Sequence, residues 1–279
     1  MNKKNILIGV IIAVVIIMMI AAMVLLIPMD KHNREIRTYG DLAVAAETDE
    51  RARYIIDNIE EYPDFLIDTY YKYNAEKKQQ FIEFFYEYPF HKNDYKNLTF
   101  TEEELNCDSI PRLFMKDTRW GYERIGKGYI FSYGCAAVGI TMANLYLTHR
   151  SNVDPLLIAE LVDEMGAAAP FGGINSLHVR EICEAVGLTC DEFIYDKDVG
   201  GSGEADPEYI RNAVNNGHAV MLGMVGETFG GHAVIIRSLD EDGTMYINDP
   251  GNPDNCEKAW SFEELKPEIY YIWDLSYSK

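Results

Sequence analysis

A cysteine near the middle of the chain occupies a position that suits a nucleophile. Cys135 follows Gly134 and begins an apolar run, CAAVGITMANLYL, in which large side chains recur at helical spacing. The glycine would let the chain enter this helix through a backbone conformation closed to other residues. Free N–H groups and the helix dipole at a helix start stabilise a thiolate and lower a cysteine pKa from about 8.5 to roughly 3.5–7.5. The position favours a reactive thiol, with a small core residue or half of a disulfide as the alternatives.

A hairpin pattern singles out one of the six histidines as a base. Two β-rich runs, Ala233–Leu239 and Met245–Asn248, flank the turn Asp240–Gly243 and predict an antiparallel hairpin. His232 precedes the first run and Asp249 follows the second, so they should lie almost opposite each other. Facing positions have Cβ atoms about 4.5–5.5 Å apart. The carboxylate would fix the imidazole tautomer and leave the other ring nitrogen for a thiol.

Each residue also has a plain structural interpretation. Asp249-Pro250-Gly251 suits an ordinary turn after a strand, and His232 could be a core histidine. The combination of a glycine and cysteine at a helix start with a hairpin that carries His and Asp favours a Cys-His-Asp triad, whose chemistry is acyl transfer through a thioester.

The elements that precede this site begin with an uncharged apolar stretch, Ile6–Ile27, which follows Lys3 and Lys4. Its length is about what a bilayer requires. A cleaved signal peptide usually has a shorter apolar region of about 7–15 residues and an A-x-A-like site. We therefore predict a single-pass anchor in residues 1–29, with a cytoplasmic N-terminus and an extracellular C-terminal domain. The alternative, a cleaved signal, would also export the chain.

Residues 30–108 are predicted to form a helical stalk or packing subdomain. Apolar side chains recur at three- and four-residue spacings in two segments, the first predicted to end at Pro63 and the second before Pro89. The residues that share a face are Ala45, Ala52, Ile55, Ile56, Ile59 and Tyr62 in the first segment and Phe81, Phe84, Phe85 and Tyr88 in the second. We interpret them as core. Residues 109–279 then form the domain that carries the candidate triad.

Composition and charge exclude several functions. The formal net charge of −20 and the pI of about 4.6 leave no basic face for nucleic acid. Five cysteines are too few for a disulfide-stapled scaffold, and the odd count leaves at least one thiol without an internal partner. If Cys135 is that thiol, the pairing of the others stays open: Cys107, Cys183, Cys190 and Cys256. No zinc-type spacing occurs, and the Gly- and Asp-rich stretch 195–209 lacks a full calcium-loop pattern, so we predict no metal and no cofactor.

Most of residues 108–275 resembles the C39-like cysteine peptidases, a papain-like family found on exported and surface proteins of Gram-positive bacteria. The resemblance rests on the order, spacing and residue types of six segments: IPRLFMKDTRWGY (110–122), SYGCAAVGITMANLYL (132–147), GGINSLHVREICEAVGL (172–188), NGHAVMLGM (216–224), GGHAVIIRSLDEDGTMYINDP (230–250) and WSFEEL (260–265). It implies an α+β papain-like domain in which the nucleophile helix packs on an antiparallel sheet. It also implies that Cys135 is the nucleophile, His232 the base and Asp249 the orienting carboxylate.

The chain departs from the family pattern at the oxyanion hole. The family usually has a glutamine there, in a Q-x-D-x-x-W pattern, whereas this chain keeps Asp117 and Trp120 but has Met115 at the glutamine position. A thioether donates no hydrogen bond, and loss of one such donor typically costs about 10²–10³ in rate. The backbone N–H of Cys135 would be the remaining donor. The segment GCAAVGI also replaces the more usual Gly-Cys-Gly-Pro-Thr opening.

Three further residues are predicted to line the cleft. Trp120 is interpreted as a cleft wall or a core residue, while Gly230 and Gly231 would allow an extended substrate to approach the backbone closely. His218 falls where the family usually has a Gly-Lys or Gly-Arg turn, so we do not assign it a catalytic role.

The sequence therefore predicts a membrane-anchored extracellular cysteine peptidase or amidase that hydrolyses a peptide or isopeptide bond of a peptide or protein at the cell surface. The alternative is a weak or inactive papain-like module that binds surface peptides, because Met115 removes an oxyanion donor.

Overall fold

The structure is a computed structural model that describes residues 39–64, 66–67, 75–195 and 205–278. The chain divides into two compact units, Met1–Phe90 and His91–Lys279, so the predicted boundary at residue 109 falls inside the second unit. The predicted anchor, Ile6–Ile27, lies outside the described residues, as does most of the stretch 195–209. Within the described ranges, no helix combines the length and the apolar character that a membrane span requires.

The described part of the first unit is helical and contains α1 (Asp41–Ala45), α2 (Glu50–Asp57) and all but the last residue of α3 (Ala75–His91). The Asp49 carboxylate caps α2 by accepting the N–H of Arg51 at 2.9 Å. Most of the predicted apolar stripe is buried, as expected for core: Ala52, Ile55, Ile56, Tyr62, Phe81, Phe84 and Phe85.

Both predicted helix ends in this unit were wrong. α2 ends at Asp57, well before Pro63, and a 3-10 turn follows over Ile59–Glu61. The Asn58 side chain satisfies the last turn by donating from Nδ2 to the Tyr54 carbonyl at 2.8 Å. In contrast, α3 continues through Pro89. Because proline stands in the last turn, the helix loses little hydrogen bonding before it ends.

The second unit is built on an antiparallel sheet. Its strands are β3 (Thr189–Ile194), β4 (Ala219–Met224), β5 (His232–Leu239), β6 (Met245–Asn248) and β7 (Ile269–Ser276), after a short hairpin of β1 (Arg124–Ile125) and β2 (Gly128–Tyr129). The five strands lie in the order β3-β7-β4-β5-β6. The predicted β5-β6 hairpin is confirmed, with Ile235 opposite Asn248.

Helices cover the sheet and supply its cores. They are α4 (Glu102–Leu105), α5 (Ile130–Tyr133), α6 (Cys135–Thr148), α7 (Pro155–Glu164), α8 (Val179–Ala185), α9 (Pro207–Asn215), α10 (Pro253–Glu257) and α11 (Phe262–Leu265). Successive residues of β4 enter opposite cores, Met221 on the α6 side and Leu222 on the other. Both faces of this strand are therefore buried, which explains its continuous apolar sequence.

The central helix is α6, which is buried continuously from Ala136 to Leu145 and packs on β4 and β5. A Cβ on Gly139 would lie 2.7 Å from the Met221 Sδ, so the small residue allows close packing on β4. The predicted α+β class, with the cysteine-bearing helix against an antiparallel sheet, is confirmed.

A glycine-rich loop fixes the chain that leads into α6. Gly173 has φ +73°, and its N–H donates to the Ile125 carbonyl at 3.3 Å. A Cβ on Gly173 would lie 2.4 Å from the carbonyl oxygen of Tyr133, which immediately precedes Gly134. Because that oxygen belongs to the backbone, it cannot move aside at low cost.

We expect Gly173→Ala to destabilise the protein more than Gly187→Ala. Both glycines have positive φ, so each alanine costs roughly 1–2 kcal/mol in backbone strain. Only the Gly173 variant adds a clash, since a Cβ on Gly187 meets nothing within 4 Å. Urea unfolding of both variants measures the difference, and equal losses would contradict the close contact with Tyr133.

Candidate active site

The candidate nucleophile lies at the start of the buried helix. Cys135 is the first residue of α6, and its side chain is half-buried. All five cysteines of the chain have free thiols, so Cys135 is not half of a disulfide in this structure. The backbone N–H of Ala136 helps to lower the pKa of the thiol, as expected at a helix N-terminus.

The reason for Gly134 differs from the predicted one. Its φ is −88°, a value that any residue can adopt. The constraint is space, because a Cβ there would lie 2.6 Å from the Ile130 Cγ2 and 2.7 Å from the Ile130 carbonyl oxygen. The N–H of Gly134 donates to that oxygen at 2.9 Å. Gly134 therefore permits a tight junction between α5 and α6.

The hairpin brings the histidine and the aspartate together. His232 begins β5, Asp249 directly follows β6, and the His232 Nε2 lies 2.6 Å from the Asp249 Oδ1. The carboxylate side chain is 2% exposed and the imidazole 14% exposed. Because both side chains are largely removed from solvent, the charge of Asp249 acts on the imidazole with little screening.

Backbone and amide donors saturate the buried carboxylate. Asp249 Oδ1 also accepts the N–H of Gly251 at 2.7 Å and that of Asn252 at 3.0 Å, while Oδ2 accepts from Asn255 Nδ2 at 2.7 Å. Burial raises the pKa of the Asp249 carboxyl, but the hydrogen bonds and charge of His232 and the donors from Asn255 and Gly251 outweigh it and hold the pKa below its ordinary value. Asp249 is thus an ionised acceptor.

The thiol and the imidazole form the second pair of the site. Cys135 and His232 each shift the pKa of the other. Because Nε2 faces Asp249, Nδ1 is the ring nitrogen left for the thiol. Burial raises the pKa of the Cys135 thiol, but the bond and charge of His232 and the N–H groups of Ala233 and Ala136 outweigh it and bring the pKa below its ordinary value.

The imidazole responds in the opposite direction. Burial lowers the pKa of His232, but the hydrogen bonds and negative charges of Asp249 and Cys135 outweigh it and raise the pKa to about 10. The two shifts reinforce each other, since each partner stabilises the charged form of the other. The arrangement favours a thiolate paired with an imidazolium.

The predicted oxyanion position lies beside the imidazole. Met115 is buried, and its N–H donates to the Pro250 carbonyl at 2.8 Å. A Cβ on Gly251 would lie 3.0 Å from the Met115 Cε and 3.1 Å from the His232 Cε1. The segment before Met115 is held by Asn248, whose Nδ2 donates to the carbonyls of Ile110 at 2.9 Å and Pro111 at 3.0 Å.

The predicted cleft residues separate into two groups. Trp120 has no exposed surface and donates from Nε1 to the Phe114 carbonyl at 2.9 Å, so it belongs to the core and not to an open wall. Gly230 and Gly231 are exposed next to His232, and a Cβ on either would meet nothing within 4 Å. These glycines border open space.

His218 forms a separate pair away from the thiol. Its Nδ1 lies 2.8 Å from the Asp274 Oδ1, and Tyr209 donates to Oδ2 at 2.7 Å. His218 precedes β4, whereas His232 is opposite Met224 at the far end of that strand. In the described part of the chain, no group of three or more His, Cys, Asp or Glu residues could hold a metal ion.

Sequence reasoning missed the residues that support Asp249. Asn255 lies in α10, and the Cys256 Sγ accepts the N–H of Asp249 at 3.2 Å. The available signal was the segment DPGNPDN, in which Asn252 caps a helix that opens with Pro253. This cap returns the chain toward Asp249.

Solved structures offer remote likenesses. The peptidase domain of Streptococcus ComA, a bi-functional ABC transporter involved in a quorum sensing pathway, matches with 13% identity over 56% of this chain and 99% of that one, at a TM-score of 0.40. The N-terminal peptidase C39 like domain of the toxin secretion ATP-binding protein from Vibrio parahaemolyticus matches with 12% identity over 52% and 98%, at 0.33. A double glycine motif protease from an AMS/PCAT transporter, solved with its leader peptide, matches with 15% identity over 52% and 84%, at 0.31. At these scores, the likenesses carry no further conclusion.

The sequence itself gives the stronger result. Among curated proteins, none matches this chain. A family model, described as the Peptidase_C39 like family, matches residues 110–276, which contain Cys135, His232 and Asp249 and make up more than half of the chain. The chain belongs to the Peptidase_C39 like family.

Proposed function

We propose that this chain is a membrane-anchored extracellular cysteine peptidase or amidase that hydrolyses a peptide or isopeptide bond. The observation that carries the proposal is that a buried, fully hydrogen-bonded Asp249 holds His232, and that His232 lowers the pKa of the Cys135 thiol at the start of α6. A core histidine would not need an ionised carboxylate on one nitrogen and a thiol on the other. Membership of the family supports the same chemistry.

The reaction follows from the charges of the three residues. The Cys135 thiolate attacks the carbonyl carbon, and the carbonyl oxygen takes up the negative charge. The His232 imidazolium gives its Nδ1 proton to the leaving amine as the C–N bond breaks and a thioester forms. Water then attacks the thioester with His232 as base, and the carboxylic acid leaves as the thiolate is restored. Asp249 stays ionised and holds the imidazole through Nε2.

The pH range of this pair follows from the signs of the shifts. The pKa of Cys135 is lowered, so the thiolate persists down to a pH below the ordinary thiol range. The pKa of His232 is raised to about 10, so the imidazolium persists up to that pH. Between these limits the active ion pair is present.

We expect alkylation of Cys135 by iodoacetamide to reach half its maximal rate well below pH 8.5. The His232→Ala variant loses the cation that lowers the thiol pKa, so its profile should move upward. At pH 6.5 its rate should fall by about tenfold for each unit of that rise. Peptide mass spectrometry assigns the modification to Cys135 and separates it from the other four thiols.

His218→Ala is the matched control, because it removes a histidine that also faces a carboxylate but lies at the other end of β4. The pH profile of His218→Ala should match that of the wild-type chain. If the wild-type chain and His232→Ala have the same profile, no thiolate–imidazolium pair exists and the peptidase proposal is wrong.

The alternative function is peptide binding without cleavage, and it rests on Met115. The buried thioether beside His232 offers no proton to an oxyanion, so the site has one side-chain donor fewer than the family pattern. A site with this deficit would still have a cleft and a reactive thiol. The alternative therefore differs from the first proposal in turnover and not in thiol chemistry.

We expect Met115→Gln to increase turnover by up to about 10²-fold, because the amide restores one oxyanion donor. Met115→Leu is the control, since leucine fills a similar volume and donates nothing. Cleavage of a random peptide mixture, followed by mass spectrometry, measures all three proteins. If none of them cleaves peptides while Cys135 stays reactive, the binding module is the correct function.

The anchor belongs to the same proposal. The uncharged stretch Ile6–Ile27 supports insertion, and the family resemblance implies a surface protein of the Gram-positive bacterial type. We expect the full chain to remain with the membrane fraction after carbonate extraction, and a chain without residues 1–29 to be released. Protease added to intact cells should digest the C-terminal domain. Release of the full chain by carbonate would contradict the anchor.

A further inference from the structure

The segment Val225–Gly231, named here the rim segment, joins β4 to β5 and ends next to His232. Apart from the half-buried Phe229, its residues are exposed. Its internal support includes one backbone bond, from the N–H of Gly230 to the Gly226 carbonyl at 2.9 Å. Three glycines in an exposed connection of this kind favour a loose loop, because glycine has the most backbone freedom to lose.

One carboxylate outside the segment supplies the missing support. Glu268 Oε1 accepts the N–H of Thr228 at 3.0 Å, and its Oε2 accepts the N–H of Phe229 at 3.0 Å. The backbone carbonyl of Glu268 accepts the N–H of Val225 at 2.8 Å. A single residue thus accepts three N–H groups of the rim segment, and the two bonds to its carboxylate are charge-assisted, which places them among the stronger hydrogen bonds.

Packing around the carboxylate is close. A Cβ on Gly226 would lie 2.4 Å from both Cγ and Cδ of Glu268. A residue with a side chain therefore cannot occupy that position without displacing the Glu268 side chain, which is named here the clamp. The Phe229 ring also lies 5.3 Å from the Trp260 ring, which adds a side-chain contact to the rim segment. Glu268 itself is half-buried.

We propose that Glu268 is a positioning residue that holds the rim segment as a rigid edge of the peptide-binding cleft. This inference rests on the proposed function, because it takes the open space at Gly230 and Gly231 as the path of the substrate backbone. A rim held in place before binding does not have to be ordered by the peptide, and this saves conformational entropy in binding. Glu268 acts through the rim and makes no contact with the reacting atoms.

Amide hydrogen exchange of the full chain tests the clamp without any substrate. In Glu268→Gln, one carbonyl oxygen replaces two carboxylate oxygens, so at least one of the two N–H bonds is lost. We expect exchange at residues 225–231 to become about tenfold faster or more. Glu264→Gln is the matched control, because Glu264 also accepts a backbone N–H, from Ser261 at 2.8 Å, but does not touch the rim segment. Unchanged exchange at 225–231 in Glu268→Gln would overturn the clamp.

A pair of electrophiles tests the role in the cleft. Iodoacetamide reports the thiolate alone, whereas iodoacetyl-tetraalanine must also place a peptide along the rim. We expect Glu268→Gln and Gly226→Ala to lower the rate with the peptide reagent about threefold or more relative to the rate with iodoacetamide. Equal loss with both reagents, or equal rates in Glu268→Gln and Glu264→Gln, would overturn the assignment of the rim segment to the cleft.

The two proposals fail in different ways. If Cys135 has an ordinary thiol profile while residues 225–231 still exchange faster in Glu268→Gln, the peptidase proposal fails and the clamp alone stands as a structural feature. If the thiol is activated but the peptide reagent is insensitive to Glu268, the inference fails and the peptidase proposal stands.

Discussion

The buried charge of Asp249 is the constraint on which the site depends. An isolated carboxylate with 2% exposure would be strongly unfavourable, so it must be neutralised or fully hydrogen-bonded. Here four donors surround it: His232, Gly251, Asn252 and Asn255. These bonds offset the cost of burying the carboxylate, and one of them also fixes the imidazole. The same hydrogen bonds therefore stabilise this part of the protein and orient the base.

The rest of the domain brings a thiol to that base. α6 is buried on nearly every side because it packs between helices and the sheet, and this fixes Cys135 at its first turn. β5 packs on α6, and His232 begins that strand. Residues far apart in the chain therefore meet where a helix start and a strand start coincide. The tight junction at Gly134 leaves little freedom to move the thiol away.

Residue spacing and turn composition predicted the parts of the site that are formed by residues close together in the sequence. The start of α6 and the β5-β6 hairpin follow from helical spacing and turn residues, so the placement of Cys135 near a helix start and of His232 near Asp249 was accessible from sequence. Tertiary contacts decided the remainder. Burial of Trp120, the bond from Met115 to Pro250 and the bonds from Glu268 to the rim segment join residues that no periodicity relates. Helix ends at Asp57 and His91 depended on an Asn58 side-chain bond and on the position of Pro89 within its last turn.

The support of Asp249 has a consequence for how the gene can change. Three of its four donors lie in residues 251–255, immediately after the carboxylate itself. An insertion or deletion of one residue between Asp249 and Asn255 would displace several donors together and leave the buried carboxylate without hydrogen-bond partners. This stretch should therefore tolerate substitutions at its exposed positions but no change in length.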